Sequence, residues 1–205
     1  MHFTPENVYH IYNRGNNKQP IFFNDRNYHF FLNKINKQLS PISEILCWCL
    51  MPNHFHLMVY ATEKSCAEQS SFGGKPMQEF AYQLGVLLSS YSQAINKQNG
   101  TTGSLFQQKT KAKLVSGRGA QSDLNGKNNS YLTTCMHYIH QNPWKAGLVK
   151  KPEDWMYSSF NQYIGSGPFV NCNSDLLLSL TGYDMSTFYE DSYAVLDAEE
   201  VEAIW

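Results

Sequence analysis

Residues 44–61 have the sequence EILCWCLMPNHFHLMVYA, and this stretch decides the fold. Two runs rich in β-branched, aromatic and other apolar residues flank Pro52-Asn53, a pair typical of a tight turn. The stretch therefore predicts an antiparallel hairpin. Because alternate side chains of a strand point the same way, His54 and His56 are expected to project from one face of the second strand.

The segments around this hairpin complete an alternating pattern. Apolar residues recur at strand or helix spacing in a strand over 7–12, a helix over 25–39, a helix over 77–96 and a strand over 109–115. The resulting order, βαββαβ, predicts an α+β fold of the ferredoxin-like (RRM-like) type. Such a fold has an antiparallel sheet with helices on one face and leaves the other face open for a ligand.

The rest of the chain is expected to be helical. Residues 116–129 are rich in Gly, Ser and Asn and predict a mobile connection. A helix is expected to begin at Ser130 and to end near Asn142, because Pro143 disfavours helical backbone in the residue before it. Further helical patterns lie around 155–163, 174–180 and 187–204 and predict a helical C-terminal extension.

The net charge of −1 conceals two parts of opposite charge. All 16 Lys and Arg residues lie at or before Lys151, with only seven acidic residues, so this part carries a charge of +9. The remainder has ten acidic residues and no Lys or Arg, and carries −10. The basic part suits phosphate binding. The acidic part could be a solvated helix, a partner surface or a mimic of nucleic acid. We divide the chain into a domain over 1–165 and an acidic helical extension over 166–205, although the change of charge itself falls after Lys151.

Cysteine usage and the N-terminus indicate a cytoplasmic protein. Five cysteines without any CxxC pair do not suggest a disulfide framework. No leader sequence and no apolar stretch of membrane-spanning length, about 20 residues, is evident. We expect no membrane partner.

Two pairs of residues carry the candidate chemistry. Tyr138 and Asn142 lie one helical turn apart, so a phenol and an amide are expected to point together. Taken alone, His54 and His56 also fit a polar, half-exposed strand face, and Tyr138 also fits an ordinary packing residue. Together, two imidazoles and an amide oxygen could hold a divalent metal, and a phenol beside that metal could attack a phosphorus atom.

These motifs resemble the single-tyrosine HUH (histidine-hydrophobic-histidine) transposases, in particular the REP-associated tyrosine transposases found in bacterial genomes. The resemblance covers roughly the first 165 residues, and the order of a His-x-His motif and a downstream Tyr-x-x-x-Asn-Pro motif is specific. The matching segments are YHIYNRG (9–15), MPNHFH (51–56), GSLFQQK (103–109), YIHQNP (138–143), AGLV (146–149) and WMYSS (155–159).

The resemblance implies a metal-dependent endonuclease and strand transferase acting on single-stranded or hairpin DNA. His54, His56 and Asn142 would bind Mg²⁺ or Mn²⁺, and Tyr138 would form a 5′-phosphotyrosine without a nucleotide cofactor. We expect Arg14, Lys109, Lys111 and Lys113 to contact the DNA, although lysines alternating on a strand also occur as a solvated edge.

Other interpretations remain open from the sequence. A DNA-binding protein of the same fold that no longer cuts, and an RRM-type RNA-binding domain, are the alternatives to the enzyme. We expect a monomer in the cytoplasm, associated with the nucleoid. A homodimer that exchanges its Tyr138 helices is the alternative.

Overall fold

The computed structural model describes residues 1–70, 73–116, 127–165, 170–196 and 198–204. Its strands are β1 (Val8–Arg14), β2 (Ser43–Met51), β3 (His54–Ala61), β4 (Glu68–Ser70), β5 (Pro76–Gln78) and β6 (Lys111–Ser116). Its α-helices are α1 (Asp25–Gln38), α2 (Glu63–Cys66), α3 (Glu79–Asn99), α4 (Lys127–Lys145), α5 (Phe160–Tyr163), α6 (Ser174–Thr181), α7 (Phe188–Asp191) and α8 (Ala198–Ile204).

A four-stranded antiparallel sheet with the order β2-β3-β1-β6 forms the centre of the fold. The predicted α+β class and antiparallel sheet are confirmed. The predicted hairpin is also present, with Met51 opposite His54 across the turn. The small β4–β5 hairpin and α2 were not predicted, because these short segments are largely exposed and carry no apolar period.

The first face of the sheet is covered by α1 and α3. Phe31 of α1 packs against Phe55 of β3 with ring centroids 5.3 Å apart, and Tyr91 of α3 packs edge-on against Phe31 at 5.0 Å. Phe55 lies between the two strand histidines in sequence, so its side chain and theirs point to opposite faces. The histidines therefore belong to the second face.

The second face is covered by α4, so the expectation of an open sheet face was wrong. The physical reason is the apolar stripe of this helix, which needs a partner surface and is buried. Its buried residues are Leu132, Cys135, Met136 and Ile139. The sheet thus lies between two helical layers, and a ligand of the second face would have to reach it between α4 and the sheet or along their edges.

The helix α4 continues past its predicted end to Lys145 and contains Pro143. The proline removes one backbone donor, but the last turn keeps its own bonds. Ala146 N–H donates to Asn142 O (2.9 Å) and Leu148 N–H donates to Pro143 O (3.0 Å). The helix also begins earlier than predicted, at Lys127. Residues 117–126, in the predicted mobile connection, lie outside the described residues.

The C-terminal region packs on the sheet edge and on the outer side of α4. Leu50 N–H donates to Tyr157 O (2.8 Å) and Ser159 N–H donates to Trp48 O (2.9 Å), so β2 has no open edge there. The predicted helical character is confirmed in part: of the stretch around 155–163 only α5 (Phe160–Tyr163) is an α-helix, and the stretch over 187–204 contains the two separate helices α7 and α8. The proposed division at residue 165 stays a prediction, and residues 166–169 beside it lie outside the described part. Within the described ranges, no helix is both long enough and apolar enough to cross a membrane.

Candidate active site

Two neighbouring strands bring a set of polar side chains onto the second face of the sheet. In the antiparallel register, Tyr12 lies opposite His56 and Arg14 lies opposite His54. His10, two residues before Tyr12, points to the same face because side chains alternate along a strand. Both His10 and His56 are fully buried, and Arg14 is half-buried. The strand pairing thus assembles three imidazoles beside one guanidinium.

The two predicted metal-binding histidines lie with their rings 5.0 Å apart and nearly perpendicular. Each uses its Nδ1 atom for a hydrogen bond: His54 Nδ1 with Asn53 Oδ1 (2.6 Å), and His56 Nδ1 with His10 Nε2 (2.8 Å). The Nε2 atoms of both rings are buried. Nε2 is therefore the nitrogen through which each ring could bind a metal.

Both imidazoles are held in the neutral form. Burial lowers the pKa of His54 to about 4, with a further lowering from the Arg14 charge and a smaller opposing effect of a hydrogen bond to Asn142. Burial also lowers the pKa of His56 well below 6.5, assisted by His10, His54 and Arg14. Neutral imidazole is the form that binds metal ions.

The helix α4 brings Tyr138 to this group of histidines. The Tyr138 ring lies 5.7 Å from that of His56 and perpendicular to it, and 6.3 Å from that of His10. The Asn142 side chain lies close enough to both groups to raise the pKa of His54 and to lower that of Tyr138. Its Nδ2 also donates to the Tyr138 carbonyl oxygen (2.8 Å). The four residues predicted from the sequence to form the site are therefore brought together.

The environment of Tyr138 keeps its hydroxyl protonated at neutral pH. Burial raises the pKa of Tyr138 well above 10, and the hydrogen bond with Asn142 opposes this only in part. A buried phenol of this kind is a weak nucleophile unless its proton is removed or a nearby cation stabilises the phenolate.

The donor set fits a divalent cation. Two neutral imidazoles and a carboxamide oxygen form a mixed nitrogen and oxygen set, of the kind that Mn²⁺ accepts and Mg²⁺ tolerates. Across the described ranges, no group of three or more His, Cys, Asp or Glu residues is arranged to hold a metal. Asn142 is the third ligand that the sequence predicts for this site.

The predicted DNA-contacting lysines divide between two surfaces. Lys111 lies opposite Tyr12 and Lys113 lies opposite His10, so both belong to the second face, beside the histidines. Lys109 precedes β6 and lines a 760 Å³ cleft together with residues of α3, on the side of the first face. The alternation predicted from 109 to 113 fails because the strand begins only at Lys111.

The role of His10 was missed by the sequence-based prediction. The available signal was its spacing of two from Tyr12 and four from Arg14 within one strand. That signal becomes informative only once β1 is known to pair with β3.

Comparisons with known proteins give a fold relationship. No protein-family model and no curated protein matches the chain. Among solved structures, the chain is similar to a REP-associated tyrosine transposase bound to a REP hairpin, with a TM-score of 0.59 and 16% sequence identity. The similarity covers 84% of this chain and 89% of that chain. At this identity, the two proteins share a fold.

Proposed function

We propose that this protein is a metal-dependent nuclease and strand transferase that cuts and rejoins single-stranded or hairpin DNA, with Tyr138 as the nucleophile. One observation carries the proposal: α4 places the Tyr138 ring 5.7 Å from that of His56, and the Asn142 side chain on the same helix lies near both His54 and Tyr138. The shared fold with a transposase supports the same chemistry.

In the proposed reaction, the Tyr138 hydroxyl oxygen attacks the phosphorus atom of a phosphodiester. An oxygen–phosphorus bond to the tyrosine forms, which gives a 5′-phosphotyrosine, and the bond from phosphorus to the 3′ oxygen breaks. The phenol loses one proton and the departing 3′ oxygen gains one. Attack by another 3′-hydroxyl reverses these steps and joins the strands, so no nucleotide cofactor is consumed.

His54, His56 and Asn142 are the proposed ligands of a divalent metal, Mg²⁺ or Mn²⁺. When bound, the metal supplies Lewis acidity to the phosphoryl group. Asn142 orients the Tyr138 side chain, and burial keeps the hydroxyl protonated. Arg14, Lys111 and Lys113 provide positive charge around the same face for phosphate groups.

Other features support this proposal over an RNA-binding domain. The strand order β2-β3-β1-β6 with α1 and α3 on one face agrees with a ferredoxin-like sheet, which an RRM-type domain would share. An RRM-type domain stacks bases on the open sheet face, whereas α4 occupies that face here. The charge of +9 over residues 1–151 and the hairpin ligand of the structural neighbour favour hairpin DNA as the partner. We propose that a monomer acts on DNA at the nucleoid.

The decisive experiment looks for a covalent protein–DNA adduct. Purified protein is incubated with labelled single-stranded hairpins from its own genomic neighbourhood, with Mn²⁺ or with a chelator, and resolved on a denaturing gel. We expect an adduct that needs Mn²⁺ and is lost in Tyr138→Phe. As a matched control, Tyr131→Phe, which changes another tyrosine of α4, should form the adduct normally.

The outcomes separate the remaining alternatives. If the protein binds the hairpin but forms no adduct at any metal concentration, it is the DNA-binding protein that no longer cuts. An adduct that survives Tyr138→Phe would move the nucleophile to another residue and contradict the proposed site.

A further inference from the structure

The buried residue His10 makes the closest contact to a proposed metal ligand from outside the ligand set. Its Nε2 lies 2.8 Å from His56 Nδ1, and the two ring planes are within 16° of each other with centroids 5.0 Å apart, as an in-plane hydrogen bond requires. On its other side, the His10 ring stacks on Tyr12 at 4.8 Å. Both rings that hold His10 in place are themselves buried, so its orientation toward His56 is set by packing.

A hydrogen bond between two neutral imidazoles contains one proton, and its position matters. If His56 Nδ1–H donates to His10 Nε2, the lone pair of His56 lies on its Nε2 atom. If His10 Nε2–H donates instead, the His56 proton lies on Nε2 and that atom cannot bind a metal. His56 can therefore bind a metal through Nε2 only when it donates the hydrogen bond to His10.

We propose that His10 is a positioning residue that accepts a hydrogen bond from His56 Nδ1 and so fixes His56 in the tautomer whose lone pair lies on Nε2. The consequence for metal binding rests on the proposed function. Metal-bound histidines generally need a partner for their second nitrogen, which is most often a carboxylate, a carbonyl or water. Here the partner is an imidazole, which adds no negative charge to the site.

Two substitutions separate this role from packing. His10→Phe keeps an aromatic ring between Tyr12 and His56 but removes the acceptor. His10→Gln places an amide oxygen close to the position of the imidazole Nε2, so it restores the acceptor without the ring. His29→Phe, on α1 on the other side of the sheet, is the control for a general effect of exchanging His for Phe.

The first readout is the tautomer of His56, observed by nitrogen-15 NMR of the metal-free, full-length protein. We expect Nδ1-protonated His56 in the wild type and in His10→Gln, and a shift to the Nε2-protonated form in His10→Phe. The second readout is calorimetric titration with Mn²⁺, where His10→Phe should weaken binding by about 10-fold to 100-fold and His10→Gln by less than about threefold.

An unchanged His56 tautomer in His10→Phe would overturn the proposal, as would equal losses of Mn²⁺ affinity in His10→Phe and His10→Gln. Thermal unfolding of each variant shows whether a loss of Mn²⁺ affinity comes from misfolding. If His10→Phe is misfolded, the tautomer and Mn²⁺ affinity of His10→Gln test the proposal instead. If the wild-type protein bound no Mn²⁺, the proposed function would fail, while the NMR spectra would still decide whether His10 sets the tautomer.

Discussion

Asn142 shows how much of the candidate site depends on one side chain. Its amide contacts the His54 imidazole and the Tyr138 side chain, and its Nδ2 also donates to the Tyr138 carbonyl oxygen. An asparagine before a proline often only ends a helix. Here the helix continues to Lys145, so Asn142 does not end it, and we propose that its amide serves the site.

We expect Asn142→Ala to abolish most adduct formation, because it removes a proposed metal ligand and releases the Tyr138 side chain. Mn²⁺ affinity measured by calorimetry should fall at least about tenfold. The control is Asn161→Ala, which removes an amide that donates to Glu153 O (3.0 Å) outside the site. Wild-type Mn²⁺ affinity in Asn142→Ala would show that the amide is not a ligand.

At the scale of elements, one serine connects α4 to the sheet. Ser159 Oγ accepts from Trp48 N–H (2.9 Å) and donates to Trp48 O (3.1 Å), and it lies 2.8 Å from His140 Nε2. Since the hydroxyl proton is used toward Trp48, His140 carries its proton on Nε2 and donates to Ser159. The network holds α4 against β2 close to Tyr138, which lies two residues before His140.

We expect Ser159→Ala to lower the free energy of unfolding by about 1–3 kcal/mol, because it leaves buried donors on Trp48 and His140 without their acceptor. Urea denaturation measures the change. Ser179→Ala, at an exposed position of α6, should change stability by less than about 0.5 kcal/mol. Equal effects of the two substitutions would contradict a structural role for the Ser159 network.

At the scale of the whole molecule, the basic and acidic parts of the chain both pack around one sheet. Lys111 and Lys113 on β6 extend the positive charge of Arg14 across the second face. The acidic C-terminal region packs on the outer side of α4, where Gln141 Nε2 donates to Ser192 O (3.1 Å) and Ala194 O (3.0 Å). The basic and acidic parts therefore meet along α4.

We expect the double substitution Lys111→Ala/Lys113→Ala to weaken hairpin DNA binding and to reduce its salt dependence. Two lost phosphate contacts to a single strand should lower the slope of log affinity against log salt concentration by about 1.4. Fluorescence anisotropy at several salt concentrations measures this slope. The control, Lys37→Ala/Lys64→Ala, changes two exposed lysines away from the site. An equal change of slope in both double variants would indicate that only net charge matters.

Much of the architecture follows from local patterns in the sequence. The hairpin around Pro52-Asn53, the α+β order and the placement of His54 and His56 on one face depend on periodicities that a few neighbouring residues determine. The spacing of Tyr138 and Asn142 likewise places both on one side of a helix. The sequence by itself therefore determined which residues could form a site.

Only the tertiary structure decided how these pieces meet. His10 and His56 are 46 residues apart, and the register of β1 on β3 that joins them depends on long-range pairing. Long-range packing also places α4, whose apolar stripe covers the sheet face that was predicted to be open. The start of β6 at Lys111 likewise separates Lys109 from Lys111 and Lys113. Local periodicity specifies the direction of a side chain within its element, whereas its neighbours are set by packing between elements distant in sequence.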